Sequence, residues 1–163
     1  MRNEGTQVFT FEWDLSKGLL YGVVSHVGIL AFGTFYEYCK EGIEIIKVLP
    51  GCLPPDPKHG YPTLHYEIEI GRTRVTEKDF NTWVSSQSSD KFKAENYNIV
   101  TNNCIGFAIE ACEFLRVKAP IHWFILKALI FASNRVTLPL LSAISGLFAD
   151  HWKVLFLFSE NTK

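Results

Sequence analysis

Tyr97-Asn98-Ile99-Val100-Thr101-Asn102-Asn103-Cys104-Ile105-Gly106-Phe107-Ala108 reads as a short strand (residues 97–100), a polar hinge and the first turn of a helix. From Cys104 onward the apolar residues Ile105, Ala108, Ile109, Cys112 and Leu115 recur at helical spacing. Asn102 or Asn103 suits the N-cap, Arg116 and Lys118 suit the negative end of the helix dipole, and Pro120 is expected to stop the helix. Cys104 therefore falls in the first turn, where free backbone N–H groups and the positive dipole end converge. That setting favours the thiolate, which is the nucleophilic form, and offers donors to an oxyanion on a substrate carbonyl. The other reading of Cys104 is a small apolar residue that fills the core.

Upstream of this stretch the chain is rich in β patterns. Residues 8–15 alternate, with Phe9, Phe11, Trp13 and Leu15 on one side and Thr10, Glu12 and Asp14 on the other, as a half-buried strand does. Residues 26–32 form a second strand, ended by Gly33, and the aromatic residues 34–39 pair with it as a hairpin. Residues 43–49 are a further β-branched run, and residues 64–70 alternate again. Between them, residues 50–62 carry five prolines and read as a loop. Thr76-Glu77-Lys78-Asp79 looks like a capped helix start, followed by the apolar stripe Phe80, Trp83 and Val84. Strands followed by helices predict an α+β architecture.

The 163 residues suit one domain with a sizeable core; they are 47% hydrophobic and 14% aromatic, with a net charge of −1. No run of Lys and Arg points to nucleic acid. The opening residues lack the apolar segment of a secretory signal, so the four cysteines are expected to be free thiols in the cytosol, with the nucleus also open to the protein. Residues 120–158 are very apolar, but Lys127, Asn134, Arg135, Pro139 and Asp150 interrupt them. A membrane span needs about 20 predominantly apolar residues. Buried or partner-facing helices are preferred there, with membrane contact the disfavoured alternative.

A nucleophilic cysteine needs a base, most often a histidine adjacent in space. His26, His59, His65, His122 and His151 are available. His26 is the best placed, because it opens a strand of the central sheet and can face a neighbouring helix terminus. Cys39, Cys52, His59 and His65 have no spacing typical of a zinc site, and no glycine-rich nucleotide motif occurs. Glu67 and Glu69 share one strand face and read as a solvated surface. No cofactor and no metal is expected.

These pieces together resemble the PPPDE peptidase family, also called the DeSI or desumoylating isopeptidase family. The resemblance runs in order through Trp13-Asp14-Leu15-Ser16-Lys17-Gly18, Ser25-His26-Val27-Gly28-Ile29 with Phe32-Gly33 and Tyr36, Gly42-Ile43 and Pro50-Gly51. It continues through Ile70-Gly71-Arg72-Thr73 with Val75-Thr76-Glu77, then Tyr97-Asn98 to Asn103-Cys104 with Phe107, and Pro120-Ile121-His122-Trp123. It implies a circularly permuted papain-like fold: a small antiparallel sheet or barrel packed against helices, with the catalytic cysteine at a helix N-terminus. Residues 1–163 are then one PPPDE-like domain with a core at about 7–125, and residues 126–163 are an apolar helical C-terminal extension. Carried over, Cys104 is the nucleophile and His26 the base and then the acid. The implied function is an isopeptidase that removes SUMO or ubiquitin from conjugates. The alternatives are a protein thioesterase (an S-depalmitoylase) and a non-catalytic modifier-binding module. The implied partners are a ubiquitin-like modifier or its protein conjugates, and homodimerisation is left open. Ile105-Gly106 and Ser25 depart from the family pattern beside the dyad, so they bear on substrate choice.

Overall fold

The structure, a computed structural model, describes residues 5–14, 25–54 and 63–136, with the side chains of residues 63–66 and 131–136 outside that description. The expectations about residues 15–24, the loop histidine His59, and the apolar stretch beyond Val136 with His151 also lie outside it, as does the side chain of His65. The chain divides into two compact units, Met1–Lys127 and Ala128–Lys163. The site and the core described below belong to the first. Among the described residues no helix is long and apolar enough to cross a membrane.

Five strands form one antiparallel sheet: β1 (Thr6–Asp14), β2 (Ser25–Ala31), β3 (Thr34–Cys39), β4 (Gly42–Lys47) and β5 (Thr63–Thr73). Their order is β4-β3-β2-β1-β5, so β2, the strand that carries His26, is central and β1 lies between it and the edge strand β5. The hairpin between β2 and β3 turns on Phe32 (φ 56°) and Gly33 (φ 66°), the two left-handed residues that a tight hairpin needs. Phe11, Trp13 and Phe35 pack on one face with Phe9, Leu30, Ile46 and Val48. Each large side chain buried there contributes about 1.5–3 kcal/mol. Helix α1 (Glu77–Ser88) is capped by Thr76, whose Oγ1 accepts from the Asp79 N–H, as the sequence predicts. Helix α2 (Cys104–Leu115) packs on β2 and β3 through Phe107, Ala108, Ala111, Cys112 and Leu115. This is the α+β class expected from the pattern.

Three local expectations are corrected. First, β1 is not half-buried: Thr10, Glu12 and Asp14 are as buried as the aromatic face. For Glu12 the cause is helix α3 (Ile121–Val136), which brings Trp123 Nε1 to 2.7 Å and His122 Nε2 to 2.7 Å from Glu12 Oε1. A buried carboxylate is tolerated when it has such donors. Second, residues 97–100 are not a strand. The Asn98 side chain accepts from the Val100 and Thr101 N–H groups, and Asn98 and Asn102 exchange backbone bonds at 2.9 Å. Local side-chain bonding of this kind competes with strand pairing. Third, Pro120 does not stop α2, which already ends at Leu115 with Arg116 left-handed at φ 58° as its C-cap. Pro120 instead begins α3, its carbonyl accepting from the Trp123 N–H.

Candidate active site

The hinge before α2 is tied down by two neighbouring amides. Asn102 Nδ2 donates to the carbonyls of Lys91 and Asn96 at 2.9 and 3.0 Å. Asn103 is the N-cap: its Oδ1 accepts from the Gly106 N–H at 3.0 Å, and its Nδ2 donates to the Ile99 carbonyl at 2.7 Å. The choice left open between the two asparagines is thus resolved by geometry. Cys104 follows as the first helical residue, and it is buried.

His26 sits one residue into β2 and is buried too. Its imidazole and the Cys104 thiol act on each other's protonation, although they come from distant parts of the chain. The sulfur also lies 3.9 Å from the Ser25 carbonyl oxygen. Burial alone would raise the Cys104 thiol. The His26 charge and hydrogen bond outweigh it, helped by the backbone N–H groups of Val27 and Ile105, and the thiol is held below its ordinary value. Burial would likewise lower His26. The Cys104 charge and hydrogen bond, joined by Glu37, outweigh that and raise it from 6.5 to about 10. Both directions favour a thiolate beside an imidazolium. It can attack an acyl carbon and return a proton to a leaving group.

Glu37, on β3, was not singled out by the sequence reading. Its Oε2 lies 2.5 Å from His26 Nε2, and both side chains are buried. A signal was available: a glutamate inside the aromatic run of residues 34–39 is rarely buried without a partner. Ser25, which departs from the family pattern, places a buried hydroxyl next to the pair, with no hydrogen-bond partner among the described residues.

The remaining cysteines lack this setting. Burial pushes Cys112 up to about 12 and Cys39 up to about 12, while Cys52 is exposed. All four cysteines are free. Cys39, Glu41 and Glu44 bring ligand-type atoms within 4.8 Å of one another, but the Cys39 thiol is held protonated there. His122 is engaged with Glu12, at a different point of the sheet from His26. Glu67 and Glu69 are exposed, as a solvated face requires.

Residues 4–142 match the family described as "PPPDE putative peptidase domain". Among curated proteins, the chain is similar to desumoylating isopeptidase 1 of Xenopus laevis, 29% identical with 66% of each chain covered. It is also similar to desumoylating isopeptidase 1 of Homo sapiens, 38% identical with 64% of each covered. The protein of that name from Rattus norvegicus is 28% identical over the same 64% share. The chain thus spans just under two thirds of the length of these relatives. With most of its sequence inside the family match, the chain belongs to the PPPDE family of papain-like peptidase domains.

Proposed function

We propose that the chain is a cysteine isopeptidase that removes SUMO or ubiquitin from protein conjugates, with Cys104 as nucleophile and His26 as base and then acid. The observation that carries this reading is the buried Cys104 at the start of α2, its sulfur 3.9 Å from the carbonyl oxygen of Ser25 beside the buried His26, with the thiol held down and the imidazole held up. The names of the relatives, desumoylating isopeptidase 1, supply the substrate class. Sγ of Cys104 attacks the isopeptide carbonyl carbon, and the carbonyl electron pair moves to oxygen beside the N–H groups at the helix start. The tetrahedral species collapses, the C–N bond breaks, and the lysine amine leaves with the proton of the His26 imidazolium. His26 then takes a proton from water, which attacks the thioester carbonyl. The Cys104 thiolate is expelled, the modifier leaves with a free carboxyl group, and the imidazolium stands beside the thiolate again.

A thioesterase would use the same atoms with a thiolate as leaving group. A binding module would have no use for the pair, because burial alone opposes both of its charges. The test is labelling of the full chain with SUMO and with ubiquitin carrying a C-terminal electrophile, beside turnover of isopeptide-linked and palmitoyl-thioester substrates. Adducts should form on Cys104 and vanish in Cys104→Ser and His26→Ala. Turnover of the thioester alone would replace the isopeptidase reading, and an inert parent protein would end the enzymatic one.

A further inference from the structure

We propose that Glu37 is a positioning residue for the thiol–imidazole pair: its carboxylate holds His26 by Nε2 and so reserves Nδ1 as the nitrogen that exchanges protons at Cys104. This deepens the function proposed above and rests on it.

The geometry begins in the sheet. Glu37 is the cross-strand partner of Gly28, two residues beyond His26. Side chains alternate along a strand, so His26 and Gly28 share a face with Glu37. The space over Gly28 is taken by the Phe35 ring, and the glutamate leans along the sheet to the diagonal neighbour of its partner. Glu37 Oε2 lies 2.5 Å from His26 Nε2. Trp13 flanks the imidazole from β1, with ring centroids 6.1 Å apart.

An ionised carboxylate can only accept hydrogen bonds. Nε2 must then carry a hydrogen in both protonation states of His26, and the variable proton belongs to Nδ1. The carboxylate also adds to the charge that keeps the ring protonated beside the thiolate. Once Cys104 is acylated its negative charge is gone, but Glu37 still fixes the tautomer with the Nδ1 lone pair facing the reaction. That is the form a base for water needs.

Among the described residues, Cys104 from α2 and Glu37 from β3 are the titratable groups that act on His26. Glu12 and Asp14 alternate with Trp13 on β1 and therefore project from the opposite face. Cys39, two positions beyond Glu37, is kept neutral by burial and has its sulfur 3.5 Å from the Gly42 carbonyl oxygen. Tyr97 is also held neutral, raised by burial first and by the nearby Cys104 charge second.

The test compares the full-length parent with Glu37→Gln, Glu37→Leu and His26→Ala. The amide in Glu37→Gln keeps the shape but offers Nε2 a donor as readily as an acceptor. The readouts are the ¹⁵N shifts of the His26 ring against pH and the pH dependence of Cys104 alkylation by iodoacetamide. Neither needs a substrate. In the parent, Nε2 should carry a proton throughout, with a strongly hydrogen-bonded signal. In Glu37→Gln the imidazolium should lose its proton at least about one pH unit lower, with the onset of alkylation moving to higher pH. Turnover should fall ~10-fold or more with KM little changed; the same carboxylate-to-amide change in a serine-protease triad costs up to ~10⁴-fold. Glu37→Leu should show both losses. If Glu37→Gln leaves the His26 shifts and the alkylation profile unchanged, the positioning role is wrong while the pair stands. If the parent alkylates no faster than His26→Ala, the pair itself fails. Should the variants not fold, a parent spectrum with Nε2 unprotonated at neutral pH overturns the role by itself.

Discussion

Gly28→Ala is the most economical perturbation of the site's foundation. A Cβ built at Gly28 would lie 2.1 Å from Cζ and 2.5 Å from Cε2 of Phe35. Carbon atoms pack at about 3.5 Å, so the ring would have to retreat by roughly 1.4 Å. It has nowhere to go, because Phe35 is fully buried, edge-on to Phe11 at 6.0 Å and to Trp13 at 5.5 Å. Overpacking of this kind costs about 1–3 kcal/mol. With a urea m-value of about 2 kcal/mol/M, a 2 kcal/mol loss lowers the unfolding midpoint by about 1 M with the slope unchanged. Trimming the opposing ring should restore much of the loss: Gly28→Ala with Phe35→Leu should be more stable than additivity allows, by about 1 kcal/mol or more. A midpoint for Gly28→Ala within error of the parent, or strict additivity in the double variant, refutes the reasoning.

The other predictions separate chemistry from packing. Cys104→Ser should keep the parent melting temperature and lose all labelling by modifier probes, whereas Cys112→Ser, fully buried on α2, should cost about 1–3 kcal/mol and keep the labelling. The reverse pattern would mean that Cys112 is the nucleophile. Trp123→Phe removes the buried donor that holds Glu12 at 2.7 Å and should cost about 1–3 kcal/mol, with the amides of α3 the first to exchange faster with solvent. Unchanged exchange in α3 would show that the Glu12 contact does not dock the helix.

Much of this architecture is legible in the sequence, and the exceptions share a cause. The capped starts of α1 and α2, the hairpin at Phe32-Gly33 and the strands of alternating residues all depend on neighbours in the chain. The proposal that His26 serves Cys104 rests on strand and helix starts and on the family resemblance, not on periodicity. The misreadings concern partners that local pattern does not encode. Glu12 on β1 reads as solvated because the helix that supplies its partners begins more than 100 residues later. Glu37 vanished into an aromatic strand because its partner stands across a hairpin, at a diagonal visible only once the register is known. The run at residues 97–100 has strand composition, but the Asn98 side chain diverts the backbone into a turn.

The separation of His26 from Cys104 also has a consequence for biosynthesis. On an unfolded or emerging chain Cys104 is an ordinary thiol with a pKa of about 8.5, mostly protonated at neutral pH and slow towards oxidants and electrophiles. Its activation requires β2 and the start of α2 to be in place together, because the groups that hold the thiol down reside on those elements, and β3 adds the Glu37 that supports His26. The hazard of an oxidisable thiolate is therefore confined to molecules that have finished folding. Any opening that lifts α2 from the sheet returns the sulfur to its quiet state, so loss of stability in this protein extinguishes reactivity and does not release it.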